Sequence, residues 1–436
     1  MRRNLEIDEA LDDARAAYTA KRPKSQAAHE GAARHMPGGN TRTVLFHGPF
    51  PVRAASGEGA YLTDVDGHCY LNLLGEYTAG VFGHSHPAIR SAIQTALDGG
   101  MNLSAHTMGE ARLAELVVER FPAIERVRFT NSGTEANLMA VSTARHATGR
   151  DRVMVFSGGY HGGLLYFGGG GIPINAPFPF VMGTYNDTET TRDLIRENAD
   201  RLACVLVEPM IGSGGCIPGD RDFLAMVREE TEAAGALLIF DEVMTSRFGG
   251  QGAHGLWNMR PDLVTLGKWI GGGMSFGAFG GRADLMAIYD PTADGAMPHA
   301  GTFNNNVFSM NAGIAAMTEG FPPGEAERLH ATGERLRGRI NDLFVRHDVA
   351  VCASGIGSLM NLHGQAGPVT TVADAAEGDD RIRELLFLDL LDRGFYLARR
   401  GFIALSAVVS DEDLDRFVNT LDEIVALRRS VLTARS

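Results

Sequence analysis

Lysine is nearly missing from this chain. Of its 40 basic residues only Lys21, Lys24 and Lys268 are lysines, and the other 37 are arginines. Cysteine is scarce as well. Cys69, Cys204, Cys216 and Cys352 lie far apart without a CxxC pair, which argues against a disulfide framework and reads as reduced thiols in a reducing, cytoplasmic setting. No run of about 18 apolar residues occurs, so no membrane-spanning helix is expected. The charged start MRRNLEIDEALDD has no apolar stretch of the secretory kind. No basic block offsets the formal net charge of -13, which disfavours nucleic acid and anionic membrane as partners. Metal-ligand spacing is lacking too. His84 and His86 in GHSHP have no further ligands at zinc spacing and read as structural.

What is present is a chain of 436 residues with 44% hydrophobic content, enough for a large core divided into two or three units. Residues 6–20 and 24–36 have helical spacing and a polar character. They predict N-terminal helices that dock on another surface, a partner subunit being one candidate. Short strand-like runs fill 51–74, with DVDG as a turn. From about 75 to 320, apolar runs such as RVMVF, ACVLVEP and ALLIFDE alternate with helix-like stretches. Continuously apolar runs are strands covered on both faces, hence a mostly parallel sheet in an α/β domain. From 321 onward, a long helix over 325–347, strands near 349–362 and 395–406, and helices over 379–393 and 411–428 predict a smaller α+β domain. The division is therefore 1–74, 75–320 and 321–436. Gly168–Gly171 reads as a loop.

In open α/β sheets, ligands lie beyond the carboxyl ends of the strands. Three groups fall there. In NSGTEAN, Ser132, Gly133 and Thr134 stand where a helix begins after RVRFT, and free N–H groups with two hydroxyls make a phosphate cradle. The same letters also spell an ordinary helix cap. Asp241 ends the apolar run ALLIFD, where a carboxylate is costly unless paired. A protonated pyridine nitrogen or a salt bridge within the protein answers that need, and Glu242 beside it reads as a helix or turn charge. Lys268 follows the apolar run of PDLVTLGK and precedes three glycines. A lysine forms an imine once desolvation lowers its pKa, whereas arginine stays protonated.

Phosphate cradle, buried Asp and Lys, in that order in one α/β domain, describe a site for pyridoxal 5′-phosphate (PLP). With SGGYHGG, LVEPM, LIFDEVMTSR, TLGKWIGGGMSFGAFGGR and GTFNNN, the chain resembles the class III, fold-type I aminotransferases and the related glutamate-1-semialdehyde aminomutases, from about residue 36 to its end. The resemblance implies a homodimer with active sites at the interface. It makes Lys268 the Schiff-base lysine and proton shuttle, and Asp241 the partner of the pyridine nitrogen. Ser132, Gly133 and Thr134 become the phosphate loop, and Tyr160 the aromatic stacked on the ring, with His161 beside it. Val243 covers the opposite face, Glu208 is an acid of the site wall, and Thr302 reaches the neighbouring subunit's phosphate.

Where aminomutases read VNSPVR after MPGG and GFR after DEVMT, this chain reads NTRTVLFHGPFP and SRFGG. With EYTAGVFGHS, GIGSLMN and RRGFIALS, it is more similar to aminotransferases acting on aromatic β-amino acids such as β-phenylalanine. That likeness implies transfer to 2-oxoglutarate or pyruvate by a ping-pong mechanism. It assigns Arg42 to a substrate carboxylate and Arg400, or its neighbour Arg399, to a carboxylate of the keto-acid acceptor; planar guanidinium suits both tasks. Either arginine could also be an ordinary surface residue. Phe46, Phe50 and Tyr77 are candidates for an apolar wall, or core residues. An aminomutase, another ω-amino acid transaminase and a racemase are the rival readings.

Overall fold

The structure is a computed structural model that describes residues 5–433. The chain forms two compact units, one comprising 78–80 and 86–330, the other the residues up to 77, 81–85 and those from 331 onward.

The first unit is built on a seven-stranded sheet. In spatial order its strands are Arg126–Thr130, Gly277–Gly281, Leu263–Gly267, Leu237–Asp241, Leu202–Val207, Arg152–Phe156 and Phe180–Gly183. Gly277–Gly281 runs antiparallel to both neighbours, and the other adjacent pairs are parallel. The apolar runs VMVF, LACVLV, LLIF and LVTL are wholly buried, as strands covered on both faces must be. One face collects Val153, Val155, Cys204, Leu206, Leu237, Ile239 and Leu263, the period of two expected of strands. Against it lies the helix Gly133–Thr148, whose Ala136, Ala140 and Ala144 form a stripe of small residues at four-residue spacing. Small side chains let that helix approach closely and fix its first turn at the sheet's carboxyl edge. Ser132 caps it by accepting the Glu135 N–H at 3.2 Å, and Gly149 ends it in the left-handed region at φ +68°. Gly168–Gly170 forms a short 3₁₀ turn within the predicted loop.

The second unit holds a four-stranded sheet, Ala54–Glu58, Tyr61–Asp64, Cys69–Asn72 and Phe395–Tyr396, the last pair parallel. It also holds an antiparallel sheet of Cys352–Ile356, Leu359–His363 and Phe402–Ala404. Asp64 and Asp66 explain DVDG as a turn. Buried Asp64 accepts the N–H groups of Asp66 and His68 and the Tyr70 hydroxyl. Asp66 accepts the N–H groups of Lys24 and Ser25 at the start of the helix Pro23–Ala33. The helix Leu5–Lys21 docks within its own unit, against Asp380–Asp392, with Arg15 paired to Glu384 at 2.7 Å. Asp411–Leu432 closes the unit, and Pro323–His347 is the chain's long connecting helix. Among the described residues, no helix is long and apolar enough to cross a membrane, and no group of three metal-ligating side chains occurs. The four cysteines are free, three of them buried. The His84 ring meets the Asn72 amide at 3.0 Å.

Candidate active site

Because the strands share a direction, residues that follow Thr130, Phe156, Val207, Asp241 and Gly267 meet at one edge of the sheet. There they line a cavity of about 300 Å³, within the size range of small-ligand sites. Ser132, Gly133, Thr134, Tyr160, His161, Glu208, Asp241, Val243 and Lys268 all border it. Nine residues chosen from separate sequence segments are thus brought together.

Asp241 is only 4% exposed. One carboxylate oxygen accepts the Asn137 amide at 2.9 Å and faces His161 Nδ1 at 2.8 Å, and the other accepts the Val243 N–H at 3.0 Å. These partners are two hydrogen-bond donors and an imidazole. Three contacts leave acceptor capacity on a carboxylate that has about four lone-pair sites. Asn137, 1% exposed, also accepts the Thr265 hydroxyl at 2.7 Å. Thr265 is level with Asp241 in the parallel pairing and three residues before Lys268, so one amide ties the carboxylate to the lysine's strand.

Lys268 follows Gly267 in the left-handed region, at φ +53°. For a residue with a Cβ this costs roughly 1–2 kcal/mol. The next residue holds the turn in place: Trp269 is fully buried, donates its indole N–H to Ser246 at 3.0 Å and meets Phe321 edge-on at 5.2 Å. Val243 fills the space between the helix start and the lysine turn. A Cβ on Gly133 would lie 3.0 Å from it, and one on Gly267 3.3 Å. Gly162, at φ +119°, has its would-be Cβ 2.1 Å from the Thr134 hydroxyl, so backbone reaches the phosphate loop only without a side chain.

Glu208 is buried with one oxygen on the Tyr160 N–H at 2.9 Å and the other on the Gly212 N–H at 3.1 Å. Burial pushes its pKa up to about 7, with His161 opposing the rise and Asp241 adding to it. It braces the loop that carries Tyr160. Glu242 is wholly buried and accepts the N–H groups of Ala253 and His254 while pairing with the His254 ring at 2.6 Å. It serves the start of the helix Gly252–Trp257 and is not among the residues that line the cavity.

The remaining candidates lie elsewhere. Thr302 is exposed and borders a different recess, of about 440 Å³, with Met101–Thr107 and Phe303. Arg42 and Arg400 belong to the other unit. There Arg42 donates to Glu76, and Arg400 lies over the rings of Tyr77 and Phe402 at 5.5 and 5.2 Å. Arg399 is committed to Asp380 and Glu384, at 2.8 and 2.7 Å. Phe50 is core, tilted against Tyr18, and Tyr77 is buried and stacked on Phe402, whereas Phe46 is 45% exposed. The sequence reading missed Asn137 and Thr265. Their signal was faint: an amide on the alanine-striped face of its helix, and one hydroxyl in the apolar run LVTLG.

These residues fit PLP. A helix start bearing two hydroxyls and lying against glycines suits its phosphate. A buried carboxylate with an acceptor site left suits its ring nitrogen, and a lysine facing the same cavity suits its aldehyde.

Comparison with known proteins agrees. A family model described as Aminotransferase class-III matches residues 46–167 and 174–425. A β-phenylalanine transaminase of Variovorax paradoxus is 52% identical over 419 residues, covering 96% of each chain. A crystal structure of a β-phenylalanine aminotransferase from that organism matches with a TM-score of 0.97 at 51% identity, over 99% of this chain and all of the other. A glutamate-1-semialdehyde 2,1-aminomutase of Desulfosudis oleivorans is 36% identical over 92% of this chain and 99% of its own. A transaminase solved with PLP bound has a TM-score of 0.86 at 32% identity, over 94% and 99% of the two chains.

Proposed function

This chain belongs to the class III aminotransferases, which work through PLP, and we propose that its donor is an aromatic β-amino acid such as β-phenylalanine. The acceptor is 2-oxoglutarate or pyruvate, and the two halves run as a ping-pong cycle. The 52% identity to a β-phenylalanine transaminase, against 36% to an aminomutase, is the observation that carries this reading over its nearest rival.

When bound, PLP supplies an electron sink for the carbon that carries the amino group. Lys268 is the covalent attachment point and moves a proton at that carbon. Asp241, oriented by Asn137 and His161, places a fixed negative charge where a ring nitrogen must stay protonated. Ser132, Gly133 and Thr134 hold the phosphate, Tyr160 and Val243 bracket the ring, and Glu208 braces the Tyr160 loop. Arg42 anchors the β-amino acid's carboxylate. Arg400 anchors a carboxylate of the keto acid, a choice supported by the commitment of its neighbour Arg399 to Asp380 and Glu384.

The enzyme is a homodimer in this reading, with Thr302 serving the neighbour's phosphate. Exposed apolar residues at and beside the recess of Thr302, namely Met101, Leu103, Met108 and Phe303, support a second copy there. Mixing inactive Lys268→Ala and inactive Thr302→Ala chains then restores partial activity, and a fully active monomer in sedimentation would end the dimer reading. The decisive assay for the reaction is a panel of α-, β- and ω-amino donors against 2-oxoglutarate and pyruvate. Transfer from β-phenylalanine that requires a keto acid is expected. Isomerisation without an acceptor would mean an aminomutase, and no turnover of any β-amino acid would remove the assignment.

A further inference from the structure

Four consecutive residues, Gly75, Glu76, Tyr77 and Thr78, have positive φ, at +52°, +51°, +49° and +84°. Three of them carry a Cβ and are strained there. The turn has no slack. A Cβ on Gly75 would sit 2.7 Å from the Ala404 carbonyl, and the Asn72 side chain accepts the N–H groups of Leu74 and Gly75 at 2.9 and 3.1 Å. The Tyr77 hydroxyl donates to the Val44 carbonyl at 3.0 Å, on the turn that follows Arg42. Tyr77 has a clear packing return: it is buried, stacked on Phe402 and covered by Arg400. Glu76 has none. Its side chain is 55% exposed, that of Arg42 46%, and the contact between them is a salt bridge. Exposed pairs of this kind add little to stability, yet the strained turn that buries Tyr77 also sets this carboxylate on this guanidinium.

We propose that Glu76 is a specificity-determining residue, the internal counter-ion that occupies Arg42 until a donor carboxylate replaces it. The inference rests on the reading of Arg42 as the donor's anchor. A β-amino acid with a single carboxylate exchanges that group for the Glu76 carboxylate on the guanidinium, at small cost because the pair is half exposed. A donor with a second carboxylate brings a further negative charge beside Glu76 and is repelled. Glu76 thereby reserves Arg42 for monocarboxylate donors, leaving a dicarboxylate acceptor to Arg400.

Glu76→Gln, Glu76→Ala and Glu76→Asp test this with two donors, β-phenylalanine and the dicarboxylate β-amino acid β-aminoglutarate. In the Gln and Ala variants KM for β-phenylalanine falls a few-fold with kcat held, since a competitor for Arg42 is gone. The specificity constant for the dicarboxylate donor, relative to that for β-phenylalanine, rises roughly tenfold, and Glu76→Asp stays near the parent ratio. A merely structural Glu76 would lower kcat for both donors alike and leave their ratio fixed. Arg42→Ala is run alongside. If it impairs the β-phenylalanine half-reaction while the donor ratio is unchanged in Glu76→Gln, this inference fails alone. If Arg42→Ala leaves that half-reaction intact, the anchor reading fails and this inference with it. In the Arg42→Ala background, Glu76→Gln is expected to shift the ratio no further, and a full shift there overturns the counter-ion role.

Discussion

Asp241 and Arg42 are both charged side chains assigned to a small molecule, and the two units treat them in opposite ways. Asp241 is buried, ends a strand, and has its carboxylate held by an amide, an imidazole and a backbone N–H. Arg42 is half exposed, precedes a short 3₁₀ turn, and meets a single carboxylate. The cofactor unit spends desolvation on a carboxylate that keeps one partner, and a strained turn on the lysine that must reach the same cavity. The arginine unit keeps Arg42 and Glu76 near water, where partners exchange cheaply. A group that stays with one ligand through every cycle can be fixed by burial, whereas groups that grip alternating carboxylates cannot.

The comparison breaks first if the buried groups prove dispensable. Lys268→Ala is expected to lose the reducible link to PLP and at least roughly a thousandfold in turnover, because attachment and proton transfer both depend on its amine. Borohydride trapping followed by peptide mass spectrometry checks it; PLP trapped on Lys21 or Lys24 would contradict it. Asp241→Asn comes next. It keeps the shape and removes the charge, and a loss on the order of a hundredfold in turnover is expected, with the bound cofactor's absorption shifted. Turnover within threefold of the parent would mean that Asn137 and His161 face Asp241 for structural reasons only.

These two residues were legible in the sequence for the same physical reason. A charged residue at the end of a wholly apolar run must be paired or used, and the scarcity of lysine made Lys268 stand out. The parallel sheet was legible in the same runs, and the helix after Ser132 in its cap. What stayed hidden depends on lateral register and backbone conformation. Asn137 reaches Asp241 across 104 positions of sequence and Thr265 across 128, and local periodicity carries no trace of either pairing. Glu76 reads as one acid among many until the left-handed turn sets it on Arg42. Thr302 was named by resemblance alone, and within a single chain it borders a recess other than the cofactor cavity.

The exchangeable charges give a smaller and more selective effect. Arg400→Ala should slow the half-reaction with 2-oxoglutarate roughly ten- to a hundredfold, the loss of one charged bidentate contact worth on the order of 1.5–3 kcal/mol. The half-reaction with β-phenylalanine should change much less, and Arg42→Ala should damage the donor half at least as much as the acceptor half. Single-turnover rates of both halves decide this. Equal losses in Arg400→Ala would make it a packing residue over Tyr77.

The least effect on turnover, and the sharpest contrast between the units, comes from pH. His47 in the arginine unit is buried between Tyr18 and Phe387, at 5.6 and 4.8 Å. Burial lowers its pKa to about 4, and Arg399 and Arg22 push the same way. Its folded value lies below the ordinary 6.5, so the folded state resists a proton that the unfolded chain accepts. The stability this withholds is intact above pH 6.5 and is lost as pH falls through 6.5 toward 4, about 2 kcal/mol being gone at pH 5. Glu208 in the cofactor unit has the opposite sign. Its folded pKa is raised to about 7 from the usual carboxylate range, so its contribution is full below about 4.5 and declines as pH rises through 7. Hydrogen exchange compared at pH 5 and pH 7.5, corrected for the intrinsic rate, should therefore show the segment around His47 opening more readily in acid. The segment around Glu208 should be more protected there. His47→Phe keeps an aromatic ring against Tyr18 and Phe387 without a titrating nitrogen and should abolish the acid opening of its unit alone. If that variant opens in acid as the parent does, the acid-labile group is not His47, and the contrast between the units must rest on their carboxylates.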